Sequence, residues 1–256
     1  MRHFRTYKSL CTDFYDIEKP EASVDQLAFF MKYVKEASGR VLEPMCGSGR
    51  FLIPIMEQGY AIDGIDASKF MLDSLRKKCE RKRLIPLLRE TLLQKADLEK
   101  KYALAIIPSG SFCLLTSSVD VEDSLKVIYN ALQPGAKFVF EIEMESLLSE
   151  EKKHCQFWCG RWVKKADGSL IVLSTLLHYD EKTQIETTLC KYEHVQKNQI
   201  IQTEVEEYCL KLYKHREIET QLTKAGFSDI KIFKPYDSIE SEASDPTAVV
   251  ECTKKG

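Results

Sequence analysis

A chain of 256 residues, 44% apolar and 30% charged, is long enough to bury the core of one large α/β domain. Its formal charge of −2 offers no general attraction for nucleic acid, and no stretch approaches the ~18 apolar residues needed to cross a bilayer. Arg2, His3, Arg5 and Lys8 interrupt any secretory apolar run near Met1, so a cytoplasmic location is expected.

The elements follow in chain order. Ser23 caps a helix running to about residue 36, with Leu27, Phe30, Met31 and Val34 along one side, and Gly39 ends it. Residues 40–43 are the first strand. The run Val-Leu-Glu-Pro-Met-Cys-Gly-Ser-Gly-Arg (41–50) closes it on Glu43 and passes directly into a turn holding Gly47 and Gly49. Pro54 lies near the start of the next helix, where its missing N–H costs least, and Gly59 closes that helix before a strand at 61–65. Ser68 caps a third helix carrying Phe70, Met71, Leu72, Leu75 and Cys79. Its other face, Arg76, Lys77, Lys78, Arg81, Lys82 and Arg83 mixed with Glu80, reads as solvated surface in preference to an RNA contact.

A strand is expected around 91–95, with Asp97 just past its end. Residues 102–107 are continuously apolar, a buried strand stopped by Pro108-Ser109-Gly110. Asp120 to Glu122 open a helix with Leu125, Ile128 and Leu132 on one face, Pro134-Gly135 turns the chain, and 137–142 is a fifth strand. This alternation specifies a parallel sheet covered on both faces. After Glu145 the period changes to two, with strands at 170–179, 184–194 and 199–210. A helix at 217–225, stopped by Gly226, and strands at 230–234 and 248–253 return to the main sheet, around a polar stretch, 237–246, expected to be a mobile surface loop. The chain thus divides into a core with an N-terminal helical segment (1–145), an antiparallel β insert covering the active site (146–213), and a C-terminal helix with two strands completing the core (214–256).

The nine cysteines are scattered and odd in number, which favours small buried thiols over a disulfide framework. His154, Cys155 and Cys159 form the one dense group. A zinc site would need a second pair, and a radical-type iron–sulfur site would need a third cysteine near Trp162. No metal is expected.

The Gly turn, with Asp66 about twenty residues on after a second apolar strand, has the form of an adenosine-cofactor site. A dinucleotide fold prefers a third glycine where Leu52 stands, and usually ends its first strand on an apolar residue where Glu43 stands. Here the chain resembles the class I S-adenosylmethionine-dependent methyltransferases. The resemblance runs through Leu42 to Arg50, Gly-Ile-Asp-Ala-Ser (64–68) with Met71-Leu72, Ala96-Asp97-Leu98, Ile106 to Phe112, and Leu132-Gln133-Pro134-Gly135. It departs at Met45, where the family usually has glycine.

The resemblance implies an α/β fold with a Rossmann-like seven-stranded sheet and an antiparallel β insert before the last helix. It implies S-adenosylmethionine as cofactor, with Glu43 orienting the methionine amino group and the backbone of Met45, Cys46, Gly47 and Gly49, with Arg50, lining the methionine portion. Asp66 would accept from the ribose hydroxyls, Ala67 and Met71 would pack on adenine, and Asp97 would accept from the adenine amino group with Leu98 beside it. Ile107, Pro108, Ser109 and Phe112 would form the wall nearest the sulfonium.

Methyl transfer from a sulfonium asks mainly for alignment and exclusion of water; no general base is evident. The chain is most similar to small-molecule N-methyltransferases with a β-rich insert, including those acting on amino sugars, so an amine or hydroxyl acceptor is expected. Tyr15, Ser111, Trp158, Arg161 and Trp162 are acceptor candidates, with Tyr7, Phe14, His178, Tyr192 and Tyr208 further possibilities. A monomer or homodimer without membrane or nucleic-acid partners is expected. A non-catalytic S-adenosylmethionine-binding module, an NAD-dependent oxidoreductase and an RNA methyltransferase remain as alternatives.

Overall fold

The computed structural model describes residues 6–148 and 159–256, so Trp158, His154 and Cys155 lie outside the described residues. The first helix, α1 (Ser9–Glu18), has no capping side chain of its own. α2 (Val24–Glu36) opens on Ser23 with a capping box completed by Gln26, which satisfies two orphan donors at once. β1 (Val41–Pro44), α3 (Leu52–Glu57), β2 (Ile62–Asp66), α4 (Lys69–Arg81) and β3 (Leu87–Glu90) follow. β4 (Tyr102–Ile107), α5 (Ser118–Ala131) and β5 (Leu132–Glu143) complete the alternating part. Next come β6 (Cys159–Lys164), β7 (Leu170–Asp180), β8 (Ile185–Gln196) and β9 (Gln199–Lys211). The chain finishes with α6 (Ile218–Ala225), β10 (Phe227–Phe233) and β11 (Thr247–Lys254).

Seven strands form one mixed sheet in the order β10-β11-β5-β4-β1-β2-β3. β1 to β5 run parallel, and β11 is antiparallel to both of its neighbours. Residues of α2, α3 and α4 cover one face, and residues of α5 and α6 cover the other. The chain moves outward from β1 to β3 and then returns to β4 on the other side of β1. That reversal opens a crevice at the carboxyl ends of β1 and β4, where ligands of such sheets bind.

β6 to β9 form a separate antiparallel sheet. α1 joins it to the main body: Leu10, Cys11 and Phe14 pack on Val163, Ile171, Leu173, Cys190 and Tyr192. On its other side, Asp16 of α1 pairs with Lys78 of α4 at 2.6 Å. The start of α1 is capped from β9, where Glu206 accepts from the backbone N–H of Tyr7 and Lys8 at 2.7 Å each. Glu204 accepts from Leu10 N–H at 2.8 Å.

Several expectations shift. The strand expected at 91–95 is instead β3 at Leu87–Glu90, and Leu93–Lys95 is a 3-10 turn. β3 is an edge strand in register with β2 from Asp63 to Asp66, and only Leu88 of its four side chains is even partly buried, so it lacks an apolar signature. α5 begins two residues before Asp120 because Ser117 accepts from Asp120 N–H. Pro134-Gly135 sits in a bulge of β5, where the pairing steps from Tyr102↔Leu132 to Leu104↔Lys137. The stretch 237–246 folds back on β10 through Ser241 N–H to Ile232 O, at 3.0 Å. All eight cysteines among the described residues are free. No described helix is long and apolar enough to cross a membrane.

Candidate active site

A cavity of about 390 Å³ opens at the carboxyl ends of β1, β2 and β4, within the usual size of small-molecule pockets. Its wall includes Glu43, Met45, Cys46, Gly47, Arg50, Asp66, Ala67, Met71, Pro108 and Ser109, together with Tyr15 and Ser111. Tyr7 from the segment before α1 and Glu207 from β9 also line it.

The turn after β1 is left-handed at three alternate residues, with φ of 59° at Met45, 53° at Gly47 and 87° at Gly49. Met45 therefore holds the backbone shape that glycine adopts without strain, and the turn keeps its form despite the side chain. Gly49 is needed for packing as well: a Cβ there would stand 2.8 Å from Leu75 Cγ and 3.0 Å from Ile53 Cγ1.

Asp66 accepts from Gly47 N–H at 2.8 Å and from Ser68 N–H at 2.7 Å, which ties the two loops together. Burial pushes its carboxyl up to about 6 against these stabilising N–H groups. Glu43 is 2% exposed, and its Oε2 has no hydrogen-bond partner. Burial and the neighbouring Asp66 charge raise it well above the usual carboxylate range, while Arg50 opposes the shift. Arg50 donates to the Tyr15 hydroxyl at 2.9 Å and lies over the Tyr15 and Phe51 rings.

On the other side of the β4 loop, a Cβ on Gly110 would stand 2.9 Å from Glu143 Oε1, so that carboxylate rests directly on the loop backbone. Burial and the Glu186 charge push Glu143 up to about 7, against Lys19. Glu141, two residues earlier on β5, is likewise pushed by burial up to about 7, and accepts from Tyr236.

Other residues named from the sequence stand elsewhere. Gly49, Leu98, Ile107 and Phe112 are not on the cavity wall. Asp97 is an exposed residue whose backbone carbonyl accepts from Arg89. Arg161 pairs with Glu18 at 2.7 Å over the Phe14 ring, and Trp162 is 64% exposed on the edge strand β6. His178 is exposed, whereas Phe14 and Tyr192 pack together and Tyr208 packs on Tyr7. The sequence reading passed over Thr91, Leu92, Leu93, Gln94, Thr116 and Asp120, all on the wall. Placing β3 four residues earlier would have brought the first four of these beside Asp66, since Thr91 N–H donates to Asp66 O.

Residues 41–135 match a protein family described as a methyltransferase domain. The seven-stranded sheet has the class I methyltransferase fold, and the family match falls within it. Among curated relatives, YqeM of Bacillus subtilis is 24% identical over 136 residues, 53% of this chain and 55% of that protein. The match thus spans about half the length of each. Among solved structures, an S-adenosylmethionine-dependent methyltransferase from Clostridium acetobutylicum is similar with a TM-score of 0.76 at 16% identity, covering 94% of this chain and 96% of that one. The sugar N-methyltransferase KedS8 from Streptoalloteichus has a TM-score of 0.72 at 14% identity, covering 93% and 90%.

Proposed function

We propose that the protein transfers a methyl group from S-adenosylmethionine to a small-molecule acceptor carrying an amine or hydroxyl, by direct in-line displacement. The observation that carries this reading is the buried, unpartnered Oε2 of Glu43 beside a left-handed Gly turn, in a cavity whose wall includes Glu207 of the second sheet. A free carboxylate oxygen at that depth is costly unless a donor arrives, and the methionine ammonium supplies one. Asp66 holds the ribose, since each oxygen keeps a lone pair after its backbone bond. Ala67 and Met71 face the purine, and Ser109 and Pro108 stand near the sulfonium.

When bound, the cofactor supplies an already activated methyl group. The protein has to align the acceptor and keep water out, a task for Tyr7, Tyr15 and Glu207 on the cavity wall. An amine acceptor must also lose a proton; Glu143 rests against the β4 loop and is not on the cavity wall. The likeness to a sugar N-methyltransferase favours an amine.

The test is a methyl-label assay with S-adenosylmethionine and a panel of small amines and alcohols. Label should appear in an amine. Binding of the cofactor without label in any acceptor, in cell extract included, would replace this reading with a binding module.

A further inference from the structure

β5 carries an acid deep in the sheet. Val139 packs among residues of α2, α3 and α4, and Glu141, two positions on and therefore on the same side of the strand, is only 6% exposed. Pairing of Ile107 with Phe140 sets Glu141 beside the point where the β4 loop leaves the sheet. A carboxylate at that depth needs partners. It accepts from Ser109 N–H of the loop, and the Tyr236 hydroxyl lies 3.3 Å from each of its oxygens. Tyr236 is in turn held by α2, where Gln26 Nε2 donates to its hydroxyl at 2.5 Å and Phe29 packs on its ring. Glu141 is anchored on one side and grips the loop on the other.

The gripped loop has a costly backbone form. Ser109 and Gly110 are left-handed in succession, with φ of 58° and 67°. Glycine takes that form freely, whereas serine resists it and keeps it where its surroundings impose it. The Ser109 side chain does not impose it, because its hydroxyl is buried without a partner. The backbone bond to Glu141 is the contact placed to do so. Pro108 and Ser109 line the cavity, while Glu141 is not on its wall.

We propose that Glu141 is a positioning residue: through Ser109 N–H it holds the β4 loop in its left-handed form and so sets the wall at the sulfur end of the cofactor. The inference rests on the cofactor placement above and adds a residue that acts on the ligand without touching it.

The test compares calorimetric dissociation constants for S-adenosylhomocysteine and for adenosine, which lacks the sulfur and the amino acid. Glu141→Ala should weaken S-adenosylhomocysteine about tenfold, the scale of a lost hydrogen bond to a charged group. Adenosine, which does not reach the loop, should stay within about twofold by the same reasoning. Glu141→Gln keeps an oxygen for Ser109 N–H and should recover most of the affinity. Ser109→Gly removes the backbone strain, so in that background Glu141→Ala should cost only about threefold or less. Thermal melting checks that each variant folds. Should Glu141→Ala fail to fold, Tyr236→Phe removes the anchor of the carboxylate and should likewise weaken S-adenosylhomocysteine more than adenosine. Unchanged affinity for S-adenosylhomocysteine, equal weakening of both ligands, no recovery in Glu141→Gln, or an undiminished loss in the Ser109→Gly background overturns the inference. Failure of the wild type to bind S-adenosylhomocysteine would instead strike the proposed function.

Discussion

The two sheets differ in how they are held. The central strands of the seven-stranded sheet are buried on both faces by helices that begin and end on local signals, such as the Ser23 capping box, the Ser68 cap and the left-handed Gly226. The four-stranded sheet has one face covered by α1, while Trp162, Ile200, Ile201 and Val205 on its edge strands remain exposed. Its bond to α1 includes the buried Glu206 and the partly buried Glu204 of β9, which cap a helix about two hundred residues earlier in sequence. The first region is specified locally and the second by long-range pairing, so damage to each should have different consequences.

The largest effect belongs to the first region. Gly49→Ala should destabilise the protein by roughly 3 kcal/mol, from overpacking against Leu75 and Ile53 plus a left-handed backbone that alanine resists. Denaturant unfolding measures it, and a loss below about 1 kcal/mol would show that the turn can move.

Next is Asp66→Ala, which should weaken S-adenosylhomocysteine by about 1.5–3 kcal/mol, the range for hydrogen bonds to a charged group. The same residue gives opposite pH signs for stability and binding. Its folded proton affinity is raised to about 6, so its contribution to stability is full below its ordinary value and is lost as pH rises through about 6. Glu141 and Glu143 act alike as pH rises through about 7. Ribose binding needs the ionised form. Stability should therefore fall, and cofactor affinity rise, between pH 5 and 8; parallel trends would mean that Asp66 does not hold the ribose.

In the second region, Glu206→Ala leaves the N–H groups of Tyr7 and Lys8 without their partner and should cost about 1–3 kcal/mol. Hydrogen exchange should show α1 losing protection while β1, β4 and β5 keep theirs. Equal loss in both sheets would erase the distinction between them. Trp162→Ala should be nearly silent, within about 0.5 kcal/mol for stability and cofactor affinity, because the side chain is 64% exposed. A large drop in affinity would restore the acceptor role expected from the sequence.

How far each part was legible in the sequence follows from the same contrast. β1, β2, β4 and the Gly turn announce themselves through apolar runs and glycine spacing, and Glu43 and Asp66 lie at strand ends that need no distant information. α1 was not legible because its caps are Glu204 and Glu206, far along the chain. β3 was missed because a mostly exposed edge strand carries no apolar pattern, and that error drew attention to Asp97 and away from Gln94. Asp120 was seen as a helix start. Its pairing with Gln94 depends on the packing of α5 against the turn after β3, which no local spacing encodes.

The account rests on the cavity at the β1 turn holding an S-adenosyl group. Calorimetric titration of the purified protein with S-adenosylhomocysteine and, separately, with NAD tests this most directly. The account predicts saturable binding of S-adenosylhomocysteine, weakened in Asp66→Ala, and no binding of NAD. Tight NAD binding with no response to S-adenosylhomocysteine would contradict it.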